Sequence, residues 1–257
     1  MLKPMKTNIK KILSSALCLS MLMTGITSVN VSALENLTNV ASYDVKGDKT
    51  NFIFLEGTPG DTHLVYTYEQ NGNTYKVVEN ASDDFKKVES IIYLLDANGN
   101  FIENSFQESN VDENGNAYVT FKDIDGESNT IVANPVDNRQ TQSSISPQAT
   151  DWEWHTYYRD GRTGSLLNLT ISVAVSVIAA AVTAGASATG QLIFSGLSGV
   201  ASYAITNNIS SLYFHSVHNW RHSSKNYVVI DETIATNYYY DAGHSVGAGY
   251  SYAEYIF

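Results

Sequence analysis

The sequence predicts an α+β protein, in which a small N-terminal β domain precedes a C-terminal domain with an apolar helical hairpin flanked by aromatic-rich β-strands. Three observations lead to this fold class. Thr163 to Trp220 is a run of 58 residues without Asp, Glu, Lys or Arg. The chain before it alternates apolar and polar residues around Asn-Gly turns, and the chain after it is rich in tyrosine. Alternation with a period of two indicates strands, whereas a long neutral run is typical of a buried or membrane-inserted helix.

The first 33 residues have the pattern of a secretory signal peptide. Four lysines precede an apolar stretch, and the small-residue sequence Val31-Ser-Ala33 follows it. We therefore predict a secreted protein that is cleaved near Ala33. Cys18, the single cysteine, lies inside this leader, so the mature chain is expected to contain neither a disulfide nor a cysteine-ligated metal.

The mature chain is acidic and its charge is uneven. It keeps 11 basic and 26 acidic residues, a net charge of −15 with histidine neutral, so we expect no nucleic-acid partner. Leu34 to Pro147 has a net charge of −12 and Gln148 to Phe257 a net charge of −3, which favours two domains. We place an acidic β-rich domain at 34–133, a linker at 134–150 and the C-terminal domain at 151–257.

The acidic domain is predicted to consist of hairpins. Leu64–Tyr68 alternates and continues through the turn Asn71-Gly72 into Tyr75–Val78. Val88–Leu95 is followed by the turn Asn98-Gly99, and Asn114-Gly115 precedes another strand, Ala117–Phe121. Three Asp-rich loops in this domain have an incomplete calcium-loop pattern, because the glycine comes too early and no glutamate follows in place. They are interpreted as tight turns that use glycine for its positive φ angle.

The polar segment at 134–150 leaves two interpretations of the acidic half open. Exposed polar linkers are where proteases cut, so 34–133 could be a pro-region that is removed. The alternative is a permanent spacer between two lasting domains.

The neutral run is predicted to form a helical hairpin at about 165–206. Small residues recur every fourth position in its first arm, which would let another helix backbone approach closely, and glycines repeat the theme in the second arm. The hairpin is either the permanent core of its domain or a segment that leaves water for a membrane. The residues predicted for this close packing are Ser172, Ser176, Ala180, Ala184, Ala188, Gly196 and Gly199.

Basic and aromatic residues stand at both ends of the neutral run. Trp154, Arg159 and Arg162 precede it, Trp220 is its last residue, and Arg221 follows it. Such residues favour the interface between a membrane and water, which makes them candidate interface anchors. The alternative is that helix ends outside membranes are flanked in the same way.

Two patterns that could carry chemistry are weak. His215, His218 and His222 would share one face of a helix, which makes them weak zinc candidates or a pH-sensitive group; the alternative is a polar surface. Gly243–Gly247 matches the nucleophile-elbow pattern around Ser245, but no histidine follows and too little chain remains for that fold. We therefore predict no catalytic residue and no cofactor, and expect that the protein is not an enzyme.

Residues 151–257 resemble a known group of proteins. The resemblance rests on Arg159–Gly164 leading into the neutral run and on Tyr238–Asp241 near the end of the chain. These features resemble the large secreted bacteriocins of Gram-positive bacteria typified by geobacillin. The resemblance implies an unmodified antimicrobial protein that acts on the envelope of related bacteria. The acidic balance departs from the cationic character usual in membrane-directed bacteriocins.

The expected function is therefore that of a secreted antimicrobial protein that damages the membrane of target bacteria through the hairpin. Its partners would be the target membrane or envelope, other copies of the chain and an immunity protein. The competing class is a secreted surface module in which the hairpin is plain core and a tyrosine-rich face binds the cell wall or another protein. A zinc or serine hydrolase is the third class.

Overall fold

The computed structural model describes residues 47–112, 115–133, 136–141, 155–183, 193–222 and 229–256. The predicted leader at 1–33, and with it the cleavage position near Ala33, lies outside these residues. Tyr43–Phe257 forms one compact unit. Its described part contains two antiparallel sheets and two short helices.

Sheet 1 is an antiparallel meander of seven strands that lie in chain order. The predicted hairpin around Asn71-Gly72 is confirmed, since Gln70 pairs with Asn73 and both turn residues have positive φ angles. The hairpins around Gly99 and Gly115 also follow the prediction. The strands are β1 (Thr50–Glu56), β2 (His63–Gln70), β3 (Asn73–Ala81), β4 (Lys87–Leu95), β5 (Phe101–Val111), β6 (Ala117–Asp123) and β7 (Ser128–Val132).

The Asp-rich loops of sheet 1 are turns in which the carboxylate binds its own backbone. Asp96 accepts hydrogen bonds from the amides of Asn98 and Asn100 at 2.9 and 2.8 Å. Asp112 and Asp123 accept equivalent bonds from the residue four positions on. These carboxylates are therefore used inside the turns, as the turn interpretation predicts.

Sheet 2 contains six strands in the order β10-β13-β12-β11-β9-β8. It includes residues from the predicted linker, because 136–141 forms an outer strand beside β9. The rest of that linker lies outside the described residues. The strands are β8 (Val136–Thr141), β9 (His155–Arg162), β10 (Ile193–Ser195), β11 (Tyr213–His222), β12 (Val229–Tyr239) and β13 (Gly247–Ile256).

The two helices are α1 (Ile171–Thr183) and α2 (Leu197–Thr206). The predicted α+β fold with an apolar helical hairpin is therefore wrong, and the described chain is mostly β. The two arms are not joined as a hairpin because Ile193–Ser195 forms a strand against β13. This short segment has a β-branched and an aromatic residue, which suit a strand. Its hydrogen-bonding partner lies about 60 residues later, where no local pattern could indicate it.

The core is built around α1. Every residue from Ile171 to Val182 is buried, and α1 packs against β3 to β6 of sheet 1 and against α2. A helix that is apolar all round is buried on all sides, and here both sheets contribute to its surroundings. The N-terminal end of α1 contacts side chains of sheet 1, and its C-terminal end contacts side chains of sheet 2.

Candidate functional site at the two ends of the buried helix

Side chains of sheet 1 bind three successive backbone amides at the start of α1. The amide of Thr170 donates to Gln107 Oε1 at 3.0 Å, and that of Ile171 donates to the Tyr66 hydroxyl at 3.2 Å. The amide of Ser172 donates to both carboxyl oxygens of Glu79 at 3.1 Å. The first amides of a helix have no partner inside it, so these three side chains supply the missing acceptors.

The alternation of strand residues places these polar groups inside the molecule. Val77 and Glu79 are two positions apart on β3 and share the face that is turned to α1, because successive side chains of a strand point to opposite faces. Ser90 on β4 and Gln107 on β5 face inward in the same way, and both are buried. Glu79 itself has 0% exposure.

Glu79 is the centre of this end. Its carboxyl group accepts hydrogen bonds from the hydroxyl groups of Ser172 at 2.8 Å and Ser90 at 3.3 Å. Burial raises the pKa of the Glu79 carboxyl, while hydrogen bonds from Thr170, Ser172 and Ser90 act to lower it. The neutral form is therefore favoured more than in an exposed glutamate.

Lys49, just before β1, binds the chain that leads into α1. Its ammonium group donates to the Leu169 carbonyl at 2.8 Å and lies 5.2 Å from the centre of the Tyr68 ring. Burial lowers the pKa of Lys49 to about 8, and the charge of Glu79 acts in the opposite direction. We call Lys49, Tyr66, Glu79 and Gln107 the N-terminal contact group.

The C-terminal end of α1 is bound by sheet 2. Arg159 on β9 is 1% exposed, donates to the Ala181 carbonyl at 2.6 Å and lies over the ring of Phe214. The last carbonyls of a helix have no partner inside it, so the guanidinium supplies a missing donor. We call Arg159 and His218, which lies beside the same helix end, the C-terminal contact group.

His218 on β11 is fully buried. Its Nδ1 lies 2.7 Å from the Tyr157 hydroxyl, and the two rings stack with their centres 4.4 Å apart. Glu232 Oε1 lies 3.7 Å from the same nitrogen. Burial lowers the pKa of the His218 imidazole, whereas Glu232 and the Val182 carbonyl favour its protonated form.

The residues predicted for close helix packing do not form one continuous surface, since some lie in α1 and others lie at or in α2. Ser172, Ser176 and Ala180 lie on α1 and are buried, and Ser172 contacts Glu79 of sheet 1. Gly196 precedes α2 with φ 81°, and a side chain there would meet the Tyr250 carbonyl. Gly199 lies in α2 beside open space. Ala184 and Ala188 lie outside the described residues.

The predicted interface anchors have partners within the protein. Arg159 holds the end of α1, and the Arg162 guanidinium lies 6.0 Å from the centre of the Tyr213 ring. Trp220 stacks on His155 with ring centres 4.4 Å apart, and Arg221 forms an ion pair with Asp231. Trp154 lies outside the described residues. Their role at a membrane surface stays a prediction.

The three histidines proposed as weak zinc candidates lie on strand β11 rather than on a helix. His215 and His218 therefore project from opposite faces, because three positions along a strand reverse the side. His215 binds Asp160 at 2.6 Å, His218 is buried, and His222 ends the strand. Within the described ranges, no three His, Cys, Asp or Glu side chains are placed to hold a metal ion.

Ser245 lies in the exposed turn between β12 and β13. Its hydroxyl donates to Asp241 at 2.8 Å, and its amide and that of Val246 donate to the same carboxylate. These hydrogen bonds, led by the one from Val246, lower the pKa of Asp241. A strand rather than a helix follows the serine, so the nucleophile-elbow geometry is not formed.

The sequence alone predicts no role for the N-terminal contact group. One pattern does indicate that Glu79 points inward, because strand alternation places it on the same face as Val77. The signal for Arg159 was only its place before the neutral run. In both cases the partner is distant in sequence, 93 residues away for Glu79 and 22 residues for Arg159.

In the described part of the chain no helix has the length and apolar character required to span a membrane. The chain matches no known family model, no curated protein and no solved structure.

Proposed function

We propose that the protein is a secreted antimicrobial protein that acts on the membrane of target bacteria, and that α1 is the segment that enters the lipid. The observation that carries this proposal is that every described ionisable group in contact with the ends of α1 belongs to another part of the chain. The helix has no ionisable residue of its own. Glu79, Lys49, Arg159 and His218, which hold its ends, all belong to other parts of the fold.

This arrangement would let α1 leave without moving a charge into hydrocarbon. Moving an ionised side chain to the middle of a bilayer costs at least about 2.5 kcal/mol, whereas Val, Ile and Ala cost little or favour transfer. After release, the ionisable side chains of both contact groups would remain with the rest of the fold and regain access to water. Burying such groups is costly compared with apolar packing, which lowers the free energy that holds α1 in place.

The proposal does not use the hairpin expected from the sequence. An α-helix of 13 residues is about 20 Å long, shorter than the roughly 30 Å hydrocarbon layer. The inserted segment would have to be longer than α1, and the uncharged chain from Thr163 to Trp220 supplies the residues. Additional backbone would then become helical, because lipid offers it no hydrogen-bond partner.

A reversible covalent lock tests the proposal. The hydroxyl groups of Ser90 on β4 and Thr170 before α1 are 2.9 Å apart, so Ser90→Cys with Thr170→Cys would join sheet 1 to the start of the helix. The mature chain contains no other cysteine if the leader is removed. We expect the oxidised protein to lose dye release from vesicles and killing of Gram-positive cells, and the reduced protein to regain both.

The chain offers a matched control. Ser216 and Thr236 are also buried, their hydroxyl groups are 2.8 Å apart, and both lie in sheet 2 on neighbouring strands. Oxidation of Ser216→Cys with Thr236→Cys should leave dye release unchanged, because that disulfide does not bind α1. Full activity of the oxidised Ser90–Thr170 pair would contradict release of the helix.

A second candidate function is favoured by the exposed tyrosines of sheet 2 and α2. Tyr158, Tyr203 and Tyr250 are 41%, 48% and 50% exposed. Aromatic side chains with a polar tip are common at binding surfaces. In this alternative α1 is permanent core, and the protein binds the cell wall. Binding to isolated walls that is lost in Tyr203→Ser and Tyr250→Ser, without leakage from vesicles, would favour it.

A further inference from the structure

A cavity of about 170 Å³ lies where three parts of the fold meet. Lys49 and Gln70 line it from the side of sheet 1, Leu166 and Asn168 from the chain before α1, and Ile205 from the end of α2. A smaller cavity of about 70 Å³ also has Lys49, Gln70 and Asn168 in its wall. Both cavities therefore share the same buried lysine.

The ammonium group of Lys49 has one hydrogen-bond acceptor and no ion-pair partner among the described residues. Lys49 is 8% exposed, and one of its three ammonium hydrogens is donated to the Leu169 carbonyl. Among the residues that the structure describes, no carboxylate lies within ion-pair distance of it. Glu79 is close enough to raise the pKa of Lys49 but not to form an ion pair with it. The pKa of about 8 shows that the charge of Glu79 does not offset the effect of burial on the ammonium group.

The rest of the wall restricts the kind of anion. Leu166 and Ile205 are apolar and buried, so they favour a ligand with a short hydrocarbon part. Asp48 also lines the cavity and is exposed, which disfavours a dianion such as phosphate more than a monoanion.

We propose that this cavity binds a small monocarboxylate, whose carboxylate accepts hydrogen bonds from the Lys49 ammonium and whose short apolar part lies against Leu166 and Ile205. The inference is independent of whether α1 ever leaves its place. A carboxylate next to a buried ammonium group forms the strong, charge-assisted type of hydrogen bond.

Binding at Lys49 would strengthen a junction of the fold. The backbone amide and carbonyl of Lys49 are both bound by the Asn208 side chain after α2, at 2.8 and 3.0 Å. Its ammonium group is bound to the carbonyl of Leu169 before α1. A ligand there stabilises the folded state in proportion to its occupancy, because the assembled cavity exists only when these parts are together.

Thermal unfolding of the mature protein with sodium acetate, butyrate or phosphate, at constant ionic strength and pH 7, tests the inference. Butyrate should raise the melting temperature in a saturable way, acetate less so, and phosphate no more than chloride. Lys49→Met should weaken the apparent affinity for butyrate at least tenfold, whereas Lys87→Met, which removes an exposed charge, should not change it. Equal butyrate effects in the two variants, or no saturable effect in the wild type, would overturn the proposal.

A measurement on the wild-type protein covers the case in which Lys49→Met does not fold. In a ¹H–¹⁵N spectrum, butyrate should shift the amide signals of Asn168, Asn208 and Ile209, which line the cavity, and leave those of the distant turn at Ser245 unchanged. Shifts spread over the whole spectrum, or none at these three residues, would contradict a site at Lys49.

Discussion

At the N-terminal end of α1 the contacts come from sheet 1 and Lys49 and centre on a carboxyl group, whereas at the C-terminal end they come from sheet 2 and centre on a guanidinium and an imidazole. The positive end of the helix dipole thus faces Glu79, and the negative end faces Arg159. The two ends also differ in titration. At the N-terminal end, burial raises the pKa of the Glu79 carboxyl, and at the C-terminal end burial lowers the pKa of the His218 imidazole. Each end of α1 therefore has a buried group whose charged form is disfavoured, a carboxyl at one end and an imidazole at the other.

The largest effect is expected from removing the acceptor at the N-terminal end. Glu79→Ala leaves the buried amide of Ser172 and two hydroxyl groups without their partner, and should lower the free energy of unfolding by about 3 kcal/mol. Glu79→Gln keeps an oxygen acceptor and should cost about 1 kcal/mol. Urea unfolding at pH 7 measures both. Equal losses in the two variants would show that the hydrogen bonds to Glu79 are not what holds this end.

A smaller loss is expected at the C-terminal end. Arg159→Leu keeps an apolar side chain in place but removes the donor to the buried Ala181 carbonyl, and should cost about 2 kcal/mol. Arg162→Leu, on the same strand, is the matched control and should cost less than about 1 kcal/mol. If the control costs as much as Arg159→Leu in urea unfolding, the contact with Ala181 has no special importance.

The pH dependence of the C-terminal end should come from His218. Its folded-state pKa lies below the ordinary value of 6.5, so its contribution to stability is present above 6.5 and is lost as the pH falls through the lowered value. One proton accounts for at most about 1.4 kcal/mol per pH unit. His218→Gln should reduce the loss of stability between pH 6.5 and 5. The groups that face this side chain, Tyr157, Arg159 and Glu232, stay in place in the variant. An unchanged slope would show that His218 does not titrate on unfolding.

At pH 7 the smallest effect on stability is expected for Lys49→Met. The pKa of Lys49 is lowered from 10.5 to about 8, so its contribution is present above pH 10.5 and is lost as the pH falls to about 8. Stability should therefore rise from pH 8 towards pH 10 through this residue, and Lys49→Met should remove that part of the rise. At pH 7 the variant should differ from wild type by less than about 1 kcal/mol, because a lost hydrogen bond offsets a removed buried charge. An identical pH dependence in both proteins would contradict the lowered pKa.

Local patterns predicted part of this fold correctly. The hairpin at Asn71-Gly72 follows from two residues whose positive φ angles select the turn, so distant chain is not needed to define it. Burial of the neutral segment in α1 agrees with both interpretations left open, because each places the segment inside the protein while it is in water. The prediction of a helical hairpin is wrong because the strand at Ile193–Ser195 depends on β13, a partner that only the folded chain provides.

The candidate site was harder to predict for the same reason. The sequence places Arg159 as a cation near the neutral run, but its contact with Ala181 depends on the position of β9 relative to α1. Glu79 shares a strand face with Val77, but a glutamate in an acidic, strand-rich segment is usually exposed. Only its place among Ser90, Thr170 and Ser172 distinguishes it from the other acidic residues.

Photolabelling from within the bilayer tests the central proposal most directly. Vesicles of phosphatidylethanolamine and phosphatidylglycerol would carry a lipid with a diazirine in its acyl chain, and labelled peptides would be identified by mass spectrometry. We predict label on residues of Ile171–Thr183 in the wild-type protein and in the reduced variant with Ser90→Cys and Thr170→Cys, and none there after oxidation. Leakage of the vesicles without label on α1 would contradict the proposal that this helix enters the lipid.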